Sequence, residues 1–171
     1  MNSSYIITFI GDDRPGIVEQ LSSIIKKNGG NWQESRLSQL GGKFAGLILI
    51  SLPTDGGTAL EADLGVLDTG RLSVSVTATG EREAPSPGRN IALSVIGPDR
   101  QGIVQEISHA LAQQQINVIE MDSRVSSAPM SAELLFQAQI NAWIPEATNI
   151  ENLRESLEKI ADHMTLEIEL E

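Results

Sequence analysis

Residues 10–31 read IGDDRPGIVEQLSSIIKKNGGN, and residues 96–117 read IGPDRQGIVQEISHALAQQQIN. Set one above the other at an offset of 86, Ile, Gly, Asp, Arg, Gly, Ile, Val and the closing Asn coincide without a gap. Further on, Ser35-Arg36 returns as Ser123-Arg124 at an offset of 88, and Thr58-x-x-Glu61 returns as Thr148-x-x-Glu151 at 90. A slow drift of this kind marks a duplication with short loop insertions. The 171 residues therefore divide into two small units, expected over 4–80 and 90–171. Between them EREAPSPGR, residues 81–89, is the expected linker, because its prolines, glycine and charges oppose regular structure.

Within copy one, Tyr5–Ile10 is apolar on both faces and suits a central strand. Pro15 fits a first helical position, and Ile17, Val18, Leu21, Ile24 and Ile25 then form one helical stripe, stopped by Asn28-Gly29-Gly30. Residues 32–40 are mostly polar and read as an edge strand. Gly41-Gly42 suits a two-residue hairpin into the apolar strand Phe44–Leu52. Thr58 and Glu61 read as a capping box for a short helix carrying Leu60, Leu64 and Leu67. Leu72, Val74 and Val76 alternate with polar residues as a half-buried last strand.

Copy two repeats the order, with strands expected at 90–96, 117–126 and 131–143 and a final strand in which Leu166, Ile168 and Leu170 alternate with Glu167, Glu169 and Glu171. Each copy thus reads β-α-β-β-α-β, an α+β class in which two helices lie on one face of an antiparallel sheet, the ferredoxin-like or split-βαβ arrangement. Strands 5–10 and 44–52 are apolar on both faces while helices cover one, so another repeat or subunit is expected on the second face.

Composition narrows the function. The chain has 12 basic and 23 acidic residues, a formal charge of −11, and no concentrated basic stretch, which disfavours direct nucleic-acid binding. Cysteine is absent, removing disulfides, thiol nucleophiles and Cys-based zinc sites. The apolar run near the N-terminus lacks a basic flank and is too short for a signal core or a membrane span. A cytoplasmic protein without membrane contact is expected. Asp12 and Asp13 form no nucleophile–base pair, and His109 and His163 stand alone on helices without metal-ligand spacing. No catalytic residue, metal or cofactor is expected.

With the βαββαβ order, the Gly-Asp-x-Arg-x-Gly-Ile-Val turn entering the first helix and the Asn that opens the second strand, each copy resembles the ACT domain family over essentially the whole chain outside the linker. The resemblance implies a regulatory module whose small-molecule ligand lies between paired domains near the turn and the following Asn. The candidate ligand residues are then Gly11, Asp12, Asp13, Arg14, Gly16, Ile17 and Asn31 in copy one, and Gly97, Asp99, Arg100, Gly102, Ile103 and Asn117 in copy two. The chemistry suits an amino acid. Glycines let backbone approach a ligand and a helix start attracts a carboxylate, Arg14 or Arg100 adds a bidentate partner, and Asp12, Asp13 or Asp99 faces the ammonium. The other reading is that Gly and Asp merely make a tight strand-to-helix turn, and that the asparagines merely end helices. Pro98 stands where copy one has Asp12, so the two turns differ chemically.

Two ACT copies with no attached enzyme or DNA-binding segment resemble stand-alone regulators of the glycine cleavage system repressor type. That resemblance implies sensing of a small amino acid, glycine foremost, and action on transcription through a protein partner. The alternative is an amino-acid-responsive regulatory subunit of a metabolic enzyme. Edge strands 32–40 and 117–125 lead us to expect a homo-oligomer, and Ser35-Arg36 and Ser123-Arg124 read either as solvated edge residues or as interface residues.

Overall fold

The computed structural model describes residues 2–68, 70–80, 87–129 and 133–171. The chain divides into two compact units, Met1–Glu83 and Ala84–Glu171. In the first, β1 (Asn2–Asp12) leads into α1 (Ile17–Lys27), β2 (Asn31–Leu40), β3 (Lys43–Pro53), α2 (Gly57–Gly65) and β4 (Leu72–Ala78). The second repeats the order with β5 (Gly88–Pro98), α3 (Ile103–Gln113), β6 (Asn117–Ser127), β7 (Leu134–Pro145), α4 (Ile150–Met164) and β8 (Glu167–Leu170). Each unit has one antiparallel four-stranded sheet, in the orders β2-β3-β1-β4 and β6-β7-β5-β8. The tandem ferredoxin-like α+β class expected from the repeat is the one observed.

Side chains on a strand point alternately to either face, and the two faces of these sheets differ sharply. On the first sheet Ile7, Phe9, Ile48, Ile50 and Leu52 are buried under Ile17, Leu21 and Ile25 of α1 and Leu60 and Leu64 of α2. Their neighbours Ile10 and Leu47 point the other way and are 53% and 52% exposed. The second sheet buries Leu93, Val95, Ile140 and Ala142 beneath Ile103, Ile107 and Leu111 of α3 and Leu153 and Leu157 of α4. Among the described residues no polar or charged side chain is buried. Both cores therefore derive their stability from apolar burial and dispersion.

Several local expectations change. Pro15 lies outside α1, because Gly16 at φ 93° holds the N-cap in the left-handed region and the helix starts at Ile17. The Thr58–Glu61 capping box does not form. Gly56 occupies the N-cap of α2, and Thr58 is already inside the first turn. Two contacts pull that helix start forward. The Gly56 N–H donates to the Pro53 carbonyl at 2.8 Å, and Gly57 packs so tightly on Tyr5 that a Cβ would lie 2.7 Å from the hydroxyl. In the second unit Asn149, one residue beyond Thr148, caps α4 by accepting from the Glu151 N–H at 3.0 Å. Leu67 follows α2 instead of lying within it.

The glycine hairpin forms as expected, with Gly41 and Gly42 at φ 57° and 77° joining β2 to β3, the positive values a two-residue hairpin needs. β2 and β6 are edge strands, each with a bulge, between Trp32 and Glu34 and between Val118 and Glu120. Of the expected linker, 81–86 lies outside the described residues and Gly88 already belongs to β5. The expected strand 131–143 is described from Leu134; residues 131 and 132 lie outside the described residues.

Ile48 and Leu47 are adjacent on one strand, the first 0% and the second 52% exposed. Ile48→Ala is expected to destabilise the protein by about 2–5 kcal/mol, in the range for large-to-small core changes. Leu47→Ala should stay near ~0.5 kcal/mol, as for surface positions. Urea unfolding of the two variants measures the difference.

Candidate ligand-binding turn

β1 is hydrogen-bonded on both sides, and this double pairing places the turn at its end. Its register with β3 sets Gly11 opposite Phe44 and Asp12 opposite Lys43, while β4 brings Leu72 to Gly11. A Cβ on Gly11 would come within 2.7 Å of the Arg71 carbonyl and 2.8 Å of a Leu72 methyl. Glycine there serves the close approach of strands rather than that of a ligand. The Asp12 N–H donates to the Arg71 carbonyl and the Asp13 N–H to the Gly42 carbonyl, each at 3.1 Å. Both amides are thus consumed by the fold.

Past Asp13 the turn opens. Gly16 has nothing within 4 Å of a Cβ position, so its glycine is required by φ 93° and not by crowding. It caps α1 without any side-chain hydrogen bond. Among the described residues the helix amides find acceptors only from Gln20 onward, the first being the Gly16 carbonyl at 2.9 Å. The Ile17 side chain is buried, anchoring the first turn in the core. An open groove of about 540 Å³ runs past this helix start, lined by Asp13, Arg14, Gly16, Ile17, Val18, Glu19, Ser22 and Phe44. Phe44 is held from behind by Phe9, ring centroids 5.6 Å apart. Arg14 donates from Nη2 to Gln20 Oε1 at 3.2 Å, which keeps the guanidinium along the helix at the groove.

Asp12 is differently placed. Its Oδ1 takes the Lys43 ammonium as hydrogen-bonded ion-pair partner. That bond, then the charges of Lys43, Arg71 and Arg14, outweigh a small desolvation and hold the carboxyl below its ordinary value of 3.8. Asp12 is therefore engaged within the fold while Asp13 faces the groove.

The second turn keeps the backbone and changes the chemistry. Gly102 caps α3 at φ 97°, again without a side-chain cap, and Ile103 is buried. Gly97 lies as close to Leu166 and the Thr165 carbonyl as Gly11 does to its neighbours. The Asp99 N–H donates to the Leu134 carbonyl at 2.8 Å. Pro98, opposite Leu135, has no N–H and no charge, so at this pair of positions the second unit has no counterpart of the Asp12–Lys43 pair. Asp99 and Arg100 are exposed at the turn.

Asn31 and Asn117 are not brought to these turns within their own units. Asn31 pairs with Ser51, eight positions along β3 from the Lys43 that faces Asp12, a separation of roughly 26 Å at strand spacing. Asn117 pairs with Trp143, seven positions from the Phe136 opposite Gly97. His109 and His163 are exposed, and among the described residues no group of three His, Asp or Glu side chains could hold a metal ion. Among them, too, no helix is long and apolar enough to cross a membrane.

A sequence model of the ACT domain matches residues 3–79 and again 89–171. The chain belongs to the ACT domain family. Over 163 residues it is 24% identical to the glycine cleavage system transcriptional repressor of Escherichia coli (strain K12), covering 93% of this chain and 84% of the relative. The Shigella flexneri protein of the same name matches to the same extent. Among solved structures, that of an unknown protein from Galdieria sulphuraria superposes with a TM-score of 0.89 at 27% identity, covering 100% of this chain and 98% of the other. A structure assigned to a glycine cleavage system transcriptional repressor superposes at 0.72 and 23% identity, covering 100% and 97%, a likeness of fold.

Both ACT turns thus share a glycine-capped helix start, and the first adds charges that sequence reading passed over. Lys43, Phe44 and Arg71 reach the turn only through strand register. The Gly41-Gly42 hairpin was the one available signal, since it holds Lys43 and Phe44 at that end of the sheet. Because the folded-state pKa of Asp12 is lowered, the pair contributes stability above the ordinary carboxyl value and loses it as pH falls through the lowered one. Both partners are largely exposed, so salt screens the pair. Lys43→Met should move the Asp12 carboxyl titration upward toward 3.8, read by carbon-detected NMR.

Proposed function

We propose that this ACT protein is a non-enzymatic cytoplasmic regulator that senses a small amino acid at its first turn, glycine foremost, and acts on transcription through a protein partner. The observation that carries the reading is the uncapped start of α1. Among the described residues the Ile17, Val18 and Glu19 amides have no acceptor, and they open on a groove that also presents Arg14 and Asp13. A zwitterion matches this layout. Its carboxylate takes the helix amides and the Arg14 guanidinium, and its ammonium takes Asp13. Glycine needs no side-chain pocket beyond the groove itself. The curated relatives, named for repression of glycine cleavage, support the choice of ligand and of transcription as the output. The acidic total charge favours a protein intermediary over direct DNA contact.

The second turn keeps Asp99 and Arg100 but has Pro98 and Leu135 where the first has Asp12 and Lys43, and in this reading it binds ligand more weakly or serves the fold alone. Asn31 and Asn117 lie too far from the turns of their own units and enter a site only when another copy presents them.

The reading is checked by thermal shift with the twenty amino acids, glycine and serine titrated. Ligand at about 100 times its dissociation constant adds roughly 2.7 kcal/mol. A saturable rise with glycine is expected for the native chain, lost in Arg14→Ala. Gly16→Val should lose it as well, with a lower starting melting temperature because φ 93° strains a branched residue. Absence of a shift with every amino acid would leave the turn purely structural.

A further inference from the structure

The helix-free faces of the two sheets differ in charge. Rows across the second sheet set Glu120 of β6 beside Asn141, Ala92 and Glu171, Asp122 beside Gln139, Ser94 and Glu169, and Arg124 beside Gln137, Ile96 and Glu167. Five carboxylates thus share this face with one guanidinium. At the corresponding rows of the first sheet, β4 presents Thr77, Ser75 and Ser73, and β2 presents Glu34, Arg36 and Ser38. There Arg36 Nη2 lies 3.1 Å from Glu34 Oε1 and the two charges cancel.

The carboxylates of the second face lie in two lines, one on each outer strand. The strand order β6-β7-β5-β8 puts those lines three strand spacings apart, about 14 Å, and along β8 the glutamates follow at intervals of about 7 Å. Between the lines run Gln137, Gln139 and Asn141 of β7 and Ala92 and Ser94 of β5. The three amides and Ser94 line an open concavity of about 690 Å³. None of the five carboxylates has an ion-pair partner among the described residues. Ile168 and Leu170 pack inward against the core, which fixes Glu167, Glu169 and Glu171 side by side on the outward face. Like charges held this close repel one another, a cost that a cationic partner relieves.

We propose that the helix-free face of the second sheet receives an α-helix of a partner protein that carries Lys and Arg along both flanks. A helix is about 10–12 Å across with its side chains, so one lying along the strands over β7 and β5 fills the space between the two carboxylate lines. Its basic flanks then reach Glu120 and Asp122 on one side and Glu167, Glu169 and Glu171 on the other. Its underside meets Ala92 and Ser94, small enough for close approach, and the β7 amides, which both donate to and accept from polar side chains. Arg124, steadied by its Nε donating to Gln137 Oε1 at 2.8 Å, bounds the acidic area at one end. A sheet covered by helices on both faces is an ordinary layer arrangement. Because the floor of this face is polar, the contact depends on charge and is sensitive to salt. The proposal rests on the reading above for the existence of a protein partner, and adds the surface and the chemistry of that partner; it does not depend on the sensing turn.

The test titrates the full chain into a fluorescein-labelled, alanine-rich helical peptide of about 20 residues with lysines on two opposite flanks, read by fluorescence anisotropy. Saturable binding is expected, weakening steeply between about 50 and about 300 mM salt. Glu167→Gln/Glu169→Gln/Glu171→Gln should weaken it about tenfold, and Gln139→Lys, at the exposed centre of the face, should weaken it as well. Glu155→Gln/Glu158→Gln/Asp162→Asn removes the same charge from the exposed side of α4. It should leave the affinity within about twofold, since charges more than a Debye length away are largely screened. Equal losses in the two triple variants would show a response to total charge and overturn the proposal. A native chain without saturable binding overturns it too, as does equal binding of a peptide of the same charge interrupted by prolines, which would make the occupant an extended segment. A glycine-induced thermal shift retained in Glu167→Gln/Glu169→Gln/Glu171→Gln separates loss of this face from loss of the sensing turn. Peptide binding without any glycine shift leaves the face standing while the sensing reading fails.

Discussion

Each domain depends on one backbone constraint, the reversal from its first strand into its first helix. Gly16 and Gly102 sit at φ 93° and 97°, where a residue with a Cβ is strained by about 1–2 kcal/mol. One residue later Ile17 and Ile103 are buried, so the kink sends the helix back across the sheet with its apolar stripe downward. Behind it the chain is tied to its neighbours by backbone bonds, Asp12 to Arg71 and Asp13 to Gly42 in one copy, Asp99 to Leu134 in the other. A fixed strand end and a fixed helix start together leave the helix amides facing outward at a defined place. The same constraint thus shapes the core and the candidate site.

Much of this architecture was legible in the residues, because the repeat aligned the copies and the periodicities of Ile17–Ile25 and Leu72–Val76 are strong. The misjudged details turn on contacts that no local pattern encodes. Thr58 looks like an N-cap, yet the packing of Gly57 on Tyr5 from a distant strand starts the helix earlier. Pro15 looks like a helix start, yet it only stiffens the approach to Gly16. At the candidate turn Asp13, Arg14, Gly16 and Ile17 line one groove, whereas Gly11 and Asp12 are taken up by contacts within the fold. Lys43 and Phe44 join them through sheet register, and Asn31 is carried away by the length of β2. Gly11 proved to be a packing glycine, whereas Gly16 is a conformational one, a distinction visible only once neighbours are placed.

The helix-free faces show where the duplicates parted. On β3 and β1 the central positions are Ala45, Leu47 and Leu49 with Ile6, Thr8 and Ile10, whereas the matching positions on β7 and β5 are Gln137, Gln139 and Asn141 with Ala92, Ser94 and Ile96. The buried faces stayed apolar in both. Core packing tolerates few polar changes, while a face that meets solvent or another surface is free to change its chemistry. The divergence is therefore concentrated on surfaces available for contact.

Turns and edges complete the same division. Copy one keeps the Asp12–Lys43 pair and Arg14 around its helix start and closes the charges of its edge strand on themselves through Arg36 and Glu34. Copy two loses a charge and an amide donor at its turn through Pro98 and leaves Asp122 and Arg124 on an exposed edge. Neither difference touches the apolar clusters that hold each sheet to its helices, so the fold sets no demand that the two turns or the two edges be equal. The charges at turns and edges are free of the constraint that keeps the buried faces alike, which accounts for a shared fold whose polar residues agree so little.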